Sequence, residues 1–185
     1  TGNYLFADLL AAGAGGYSVT EQTTQPVVGG VTTLNGRTNA GSAGGTTTAV
    51  GTTPSTVSAI ALPAGGDSVN NRFGEILPVS IAGSVFADLN NNGVQNLPTD
   101  AGLPGVSIVI TGTDDTGAAV TRTVTTAADG SYSVPDLRPG TYAITEPTQP
   151  AGTSNGQTVP GSAGGAATTL PTVPSVISNV VLNVP

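Results

Sequence analysis

Asp88, Asn90 and Asn92 occupy alternate positions, followed by Gly93, Val94 and then Asn96. A tight loop uses this pattern to aim oxygens at a hard divalent cation. Side chains come from the first, third and fifth positions, a glycine at the sixth makes the sharp turn, the seventh offers its backbone carbonyl, and the ninth contributes directly or through water. The pattern therefore predicts calcium. The same residues could also form an Asn- and Gly-rich surface turn held by its own side-chain-to-backbone hydrogen bonds, with no metal. The spacing alone leaves both readings standing.

Little other chemistry is available. The chain has no Cys, no His and, with all four of its basic residues arginine, no Lys. Disulfides, thiolate zinc sites and the usual nucleophile–base pairs are excluded together. Asp114-Asp115 and Asp129 could be taken for the paired carboxylates of a hydrolase, but glycine follows in each case, at Gly117 and Gly130, which is hairpin-turn chemistry. Gly44-Gly45 and Gly164-Gly165 precede no helical pattern, so they are not phosphate-binding loops. Tyr4, Tyr17, Tyr132 and Tyr142 fall in strand-like runs and are expected to pack in a core or on a sheet face.

The elements that must position these residues are strands. The chain is rich in Thr, Val, Ser, Ala, 27 Gly and 14 Pro, a composition for short strands and turns. No window carries a helical apolar stripe, and period-2 alternation predicts strands near 80–87, 105–111, 119–126, 131–134, 140–147, 156–160 and 176–183. Seven short strands at this spacing imply an all-β, Ig-like sandwich. A formal charge of −7 argues against nucleic acid as a partner. No apolar run approaches the roughly 20 residues a membrane-spanning helix needs, so no membrane insertion is expected of this segment.

The chain also repeats itself. The segment from Gly2 to Leu9 answers Gly130 to Leu137, Tyr17-Ser18-Val19-Thr20-Glu21 answers Tyr142-Ala143-Ile144-Thr145-Glu146, and Pro54-Ser55-Thr56-Val57-Ser58 answers Pro174-Ser175-Val176-Ile177-Ser178. Residues 1–76 thus read as the C-terminal part of one module whose front strands are missing. Residues 77–185 read as a nearly complete second module. The stretch from Gly65 to Glu75 reads as a short, stiff join, and the absence of an initiator Met suggests a piece cut from a longer tandem array.

Gly83-x-Val85-Phe86-x-Asp88-x-Asn90-x-Asn92-Gly93, Gly102-Leu103-x-Gly105-Val106, Asp129-Gly130-x-Tyr132, Leu137-x-Pro139-Gly140-x-Tyr142 and Thr145-Glu146 occur in that order. Together they resemble the SdrD B-like repeat, the calcium-binding relative of the collagen-adhesin B-type (Cna B/prealbumin-like) sandwich. The resemblance implies tandem modules on the bacterial cell surface. It also implies a bidentate Glu at the twelfth loop position, where this chain has Thr99; Asp100 comes one residue later and is the expected closing ligand. The expected metal set is therefore Asp88, Asn90, Asn92, Val94, Asn96 and Asp100, binding Ca2+ weakly. Many Cna B-like relatives harden themselves with a Lys–Asn isopeptide bond promoted by a buried acid at the position of Glu21 and Glu146. With no Lys, that bond cannot form here, and both acids are expected to be solvated or hydrogen-bonded strand residues.

The function these features imply is a structural module of an extracellular fibre, filament or adhesin stalk, not an enzyme. Its expected partners are neighbouring copies or adjacent repeats of the same protein. The alternative is an adhesion module that contacts a host protein or glycan. The lysine count gives the first prediction: the intact mass should equal that of the sequence, and a loss of one ammonia or water per module would show an unforeseen crosslink.

Overall fold

The computed structural model describes residues 2–184, and every regular element among them is a strand. The chain divides into two compact units, Thr1–Leu77 and Pro78–Pro185.

The first unit contains β1 (Tyr17–Thr20), β2 (Val27–Val28), β3 (Val31–Thr32), β4 (Leu34–Asn39), β5 (Thr46–Thr47), β6 (Thr56–Ile60) and β7 (Arg72–Ile76). They form a three-stranded sheet in the order β1-β6-β5, a β2-β3 hairpin and a β4-β7 pair. Gly29 and Gly30 turn the hairpin with φ of 59° and 83°, the double left-handed conformation that matches strand twist in a two-residue loop. The buried apolar residues of this unit are Val57 and Ile60. Much of its interior is polar: Ser55 Oγ donates to Asn35 Oδ1 at 2.7 Å, and Asn35 Nδ2 donates to the Thr52 carbonyl at 2.6 Å. The expected join is corrected here. Residues 72–76 form strand β7, paired with β4 inside the first unit, and the boundary falls between Leu77 and Pro78.

The second unit contains β8 (Val79–Ser84), β9 (Ser107–Asp114), β10 (Ala119–Thr125), β11 (Ser131–Leu137), β12 (Gly140–Glu146), β13 (Ala166–Ala167) and β14 (Ser175–Leu182). A five-stranded antiparallel sheet, β10-β9-β12-β14-β13, faces the β8-β11 pair. Ile81, Val134 and Leu137 from the pair meet Ile108, Ile110, Tyr142 and Val180 from the sheet, which makes this unit a β-sandwich with one core. The Tyr142 hydroxyl donates to the Arg138 carbonyl at 2.6 Å, so the largest core side chain has its polar end satisfied. Asp114 Oδ1 accepts from Thr116 N–H, Thr116 Oγ1 and Ala118 N–H, and ties the β9-β10 turn as an Asx-type loop.

One expected strand is absent. Residues 156–160 have no ladder partner among the described residues, and the seventh strand is instead β13 on the β14 edge. The corresponding segment of the first unit, β4, is a strand because β7 pairs with it. Alternation marks a face, but a strand also needs a partner for its backbone groups.

The same pairing recurs in both units. Tyr17, Val19 and Thr20 of β1 oppose Ile60, Val57 and Thr56 of β6, while Tyr142, Ile144 and Thr145 of β12 oppose Val180, Ile177 and Val176 of β14. Both ladders shift register between the first and second of these pairs. Ser175 Oγ donates to Asn155 Oδ1 at 2.7 Å and Asn155 Nδ2 to the Thr172 carbonyl, the Ser55–Asn35–Thr52 arrangement 120 residues on.

Ile110 is fully buried in the central part of β9. Ile110→Ala should cost about 2–5 kcal/mol in the urea transition of the second unit followed by circular dichroism. Val181→Ala, half-exposed on β14, should change it by under about 0.5 kcal/mol.

Candidate metal centre

The loop that carries the predicted ligands is pinned at its base by a short antiparallel ladder. Leu103 N–H donates to the Val85 carbonyl and Ala87 N–H to the Ala101 carbonyl, both at 2.8 Å, with Phe86 and Gly102 bridged between them. Residues 88–100 are therefore a closed excursion between β8 and β9. Gly93 has φ +74° at the sharp turn, and a Cβ there would come within 2.8 Å of Val159. Both constraints favour glycine at this turn.

Within the loop, Asp88 and Asp100 are the two anchors. Asp88 Oδ1 accepts from Asn92 N–H at 3.1 Å and Oδ2 from Gly93 N–H at 2.7 Å. Asp100 is buried, with Oδ1 accepting from Leu89 N–H at 3.3 Å and Oδ2 from Asn96 N–H at 3.0 Å. The residue one place beyond the usual closing position thus reaches back to the start of the loop. Each carboxylate oxygen keeps lone pairs beyond those used by these amides.

Asn90, Asn92 and Asn96 converge on one another. The Asn96 side-chain oxygen accepts from Asn90 Nδ2 at 3.3 Å and Asn92 Nδ2 at 3.1 Å. With the Asn96 amide turned over, its nitrogen donates instead to Asp100 Oδ2 at 3.3 Å and to the Val94 carbonyl at 3.2 Å. Groups from all the expected ligand positions except Asp88 therefore meet at a single Asn96 atom. The backbone of Val94 is held close by, its N–H donating to Asn92 Oδ1 at 2.8 Å. All the potential donors are oxygens, the kind a hard cation takes, and two of the side chains are anionic. Among the described residues no group of three or more His, Cys, Asp or Glu is gathered anywhere. Two carboxylates supplemented by amides make a low-charge site.

Residues 79–182 match the SdrD B-like domain. The chain belongs to the SdrD B-like domain family. Members of this family are repeat modules of surface-anchored bacterial adhesins. No curated protein and no solved structure matches the chain.

The structure adds features of the SdrD B-like unit that the loop pattern did not reveal. Gln157 Nε2 donates to the Asn91 carbonyl at 2.6 Å, so the segment after β12 braces the loop from outside. That segment also borders a cleft of about 820 Å³ between the two sheets, reached by Tyr132, Ile144, Glu146, Gln149 and Ile177. The expectation of a solvated or hydrogen-bonded acid holds in part, since Glu146 is half-buried and has Gln149 and Ser175 as hydrogen-bonding neighbours. Glu146 Oε1 is buried without a partner, and burial pushes its carboxyl above the ordinary range. Hydrogen bonding from Gln149 and Ser175 beside it offsets part of that rise. In the first unit Glu21 Oε2 and the Gln25 side-chain amide are likewise buried without a partner. The absence of Lys was the available signal, because an acid that faces the interior has no cation of that type to meet.

The Tyr residues also divide. Tyr142 is in the core and Tyr132 is half-buried, but Tyr4 is 46% exposed and rests on Phe6 and Phe73 at centroid distances of 5.8 and 6.3 Å. The expectation of packing in a core or on a sheet face fails for Tyr4, which lies outside any strand.

A raised carboxyl pKa favours the protonated form in the folded state. Its stabilising contribution is complete at pH below the unfolded value and is lost as pH rises through the folded value. Glu146→Gln should therefore raise the melting temperature at pH 7, and the gain should vanish near pH 4. A scan of melting temperature against pH for the two proteins checks this.

Proposed function

We propose that the chain is a structural length of an extracellular bacterial surface fibre, filament or adhesin stalk, made of tandem SdrD B-like modules and stiffened by calcium at the 88–100 loop. What supports the tandem reading is recurrence: the β1-β6 and β12-β14 ladders share their register shift, and each is accompanied by the same Asn–Ser–Thr hydrogen-bond set. A module repeated along one chain adds length without adding a new site.

Calcium would be held by Asp88, Asn90, Asn92, the Val94 carbonyl, Asn96 and Asp100. Its charge would neutralise two carboxylates and turn the asparagine oxygens inward. With two anionic ligands the dissociation constant is expected at about 10⁻⁴–10⁻³ M, the range of extracellular modules. The bound ion would tie the β8 side of the loop to the β9 side, and so restrict hinging at that end of the sandwich.

At free calcium ten times the dissociation constant, linkage stabilises the fold by about 1.4 kcal/mol. For a domain of this size that corresponds to about 5–10 °C. Melting of the full chain in millimolar calcium should fall by this amount on addition of chelator, and Asp100→Asn should abolish most of the difference. An unchanged melting temperature would remove calcium from the reading. Negative-stain microscopy in the same buffer tests the fibre: long regular filaments support it, and dispersed globular particles count against it.

A further inference from the structure

Asn-Gly occurs three times in the chain, at Asn35-Gly36, Asn92-Gly93 and Asn155-Gly156. At such a step the glycine nitrogen can attack the preceding side-chain amide carbon and close a five-membered imide, since glycine has no Cβ to obstruct the approach. The surroundings decide whether it does: the side chain must lie along its own backbone, and a neighbouring group must take the proton.

Two of the three steps are held away from this reaction. Asn35 is 3% exposed, with Oδ1 accepting from Ser55 Oγ at 2.7 Å and Nδ2 donating to the Thr52 carbonyl at 2.6 Å. Asn155 is clamped in the same way by Ser175 Oγ and the Thr172 carbonyl. Both side chains are anchored to a distant segment instead of folding back on their own backbone.

Asn92 is the reverse case. It is exposed, and its Oδ1 accepts from Val94 N–H at 2.8 Å, an Asx-type bond that lays the side-chain amide along its own backbone across Gly93. Gly93 N–H donates to Asp88 Oδ2 at 2.7 Å, within reach for proton transfer. Val94 N–H stands at the oxygen on which negative charge develops when the amide carbon is attacked. Nucleophile, base and oxyanion donor thus meet at one peptide bond of the 88–100 loop.

We propose that Asn92-Gly93 is a self-modifying site, at which the loop converts its own Asn92 into a carboxylate. Gly93 N bonds to Asn92 Cγ as its proton passes to Asp88, and the Cγ–Nδ2 bond breaks with that proton leaving on ammonia. Water then opens the imide. Addition at Cγ breaks the new Cγ–N bond and leaves aspartate, whereas addition at the main-chain carbonyl leaves isoaspartate. The aspartate product gives the loop a third anionic ligand, and calcium affinity is tuned by the number of charged ligands. This consequence rests on the calcium reading above, but the conversion itself does not.

The test incubates freshly prepared full-length chain in chelator, folded and in urea, and follows each Asn-Gly step by peptide mass. Cleavage at arginine places the three steps in different peptides. Amide-to-acid conversion is a small gain in mass, opposite in sign to the loss a crosslink would leave. Asn92 should convert at least about tenfold faster in the folded chain than in urea, and Asp88→Asn should remove that acceleration. Asn35 and Asn155 should convert more slowly folded than in urea. The proposal is overturned if Asn92 converts no faster folded than unfolded, or equally fast in Asp88→Asn. For the consequence, Asn92→Asp should lower the calcium dissociation constant about tenfold, read from melting temperature against calcium concentration. If neither Asn92→Asp nor the unmodified chain responds to calcium, the calcium reading and this consequence fall together while the conversion stands on its masses.

Discussion

Backbone pairing on both sides of β12 is the constraint from which the second unit follows. With β9 on one edge and β14 on the other, its amides and carbonyls are satisfied by protein, and the inner face can exclude water. Ile110 and Val180 are thereby brought beside Tyr142, and β8 and β11 close over them. Strand β1 has the same sequence pattern and the same register shift against β6 but, among the described residues, no second neighbour. Among the described residues of its unit, Val57 and Ile60 are the buried apolar ones. One ladder present or absent separates a sandwich from a partly covered sheet.

The loop chemistry depends on that framework. The Val85–Leu103 and Ala87–Ala101 hydrogen bonds clamp the two ends of the loop that carries Asp88 and Asp100. The clamp is itself an extension of the β8 and β9 paths. Each carboxylate accepts from two backbone amides, and the three asparagines bond to one another.

Glu146 shows the cost of a sandwich whose two sheets do not fill the space between them. Its side chain ends at a cleft with one oxygen buried and unbonded, a destabilising arrangement for an ionised carboxyl. Glu21 in the first unit has the same unbonded oxygen, so the feature belongs to the shared sequence pattern and is not an accident of one loop.

The sequence by itself determined the class of structure and the spacing of the oxygen-bearing residues in the 88–100 loop. Period-2 alternation with Gly, Asp and Pro punctuation is a local property, so β9 to β12 and the Asp114 turn could be read from neighbouring residues. So could the alternate spacing of Asp88, Asn90 and Asn92. Tertiary structure decided everything that required a partner from a distance. Residues 156–160 alternate like a strand but have no ladder, while β7, which reads as a join, is a strand because β4 is beside it. The place of Asp100 at the end of the loop was legible in the sequence, but its hydrogen bond from Leu89 N–H depends on the β8 and β9 paths meeting there. Tyr4 and Tyr132 answer each other in the repeat, yet Tyr132 is half-buried on β11 beside β8 while Tyr4, outside any strand, is exposed.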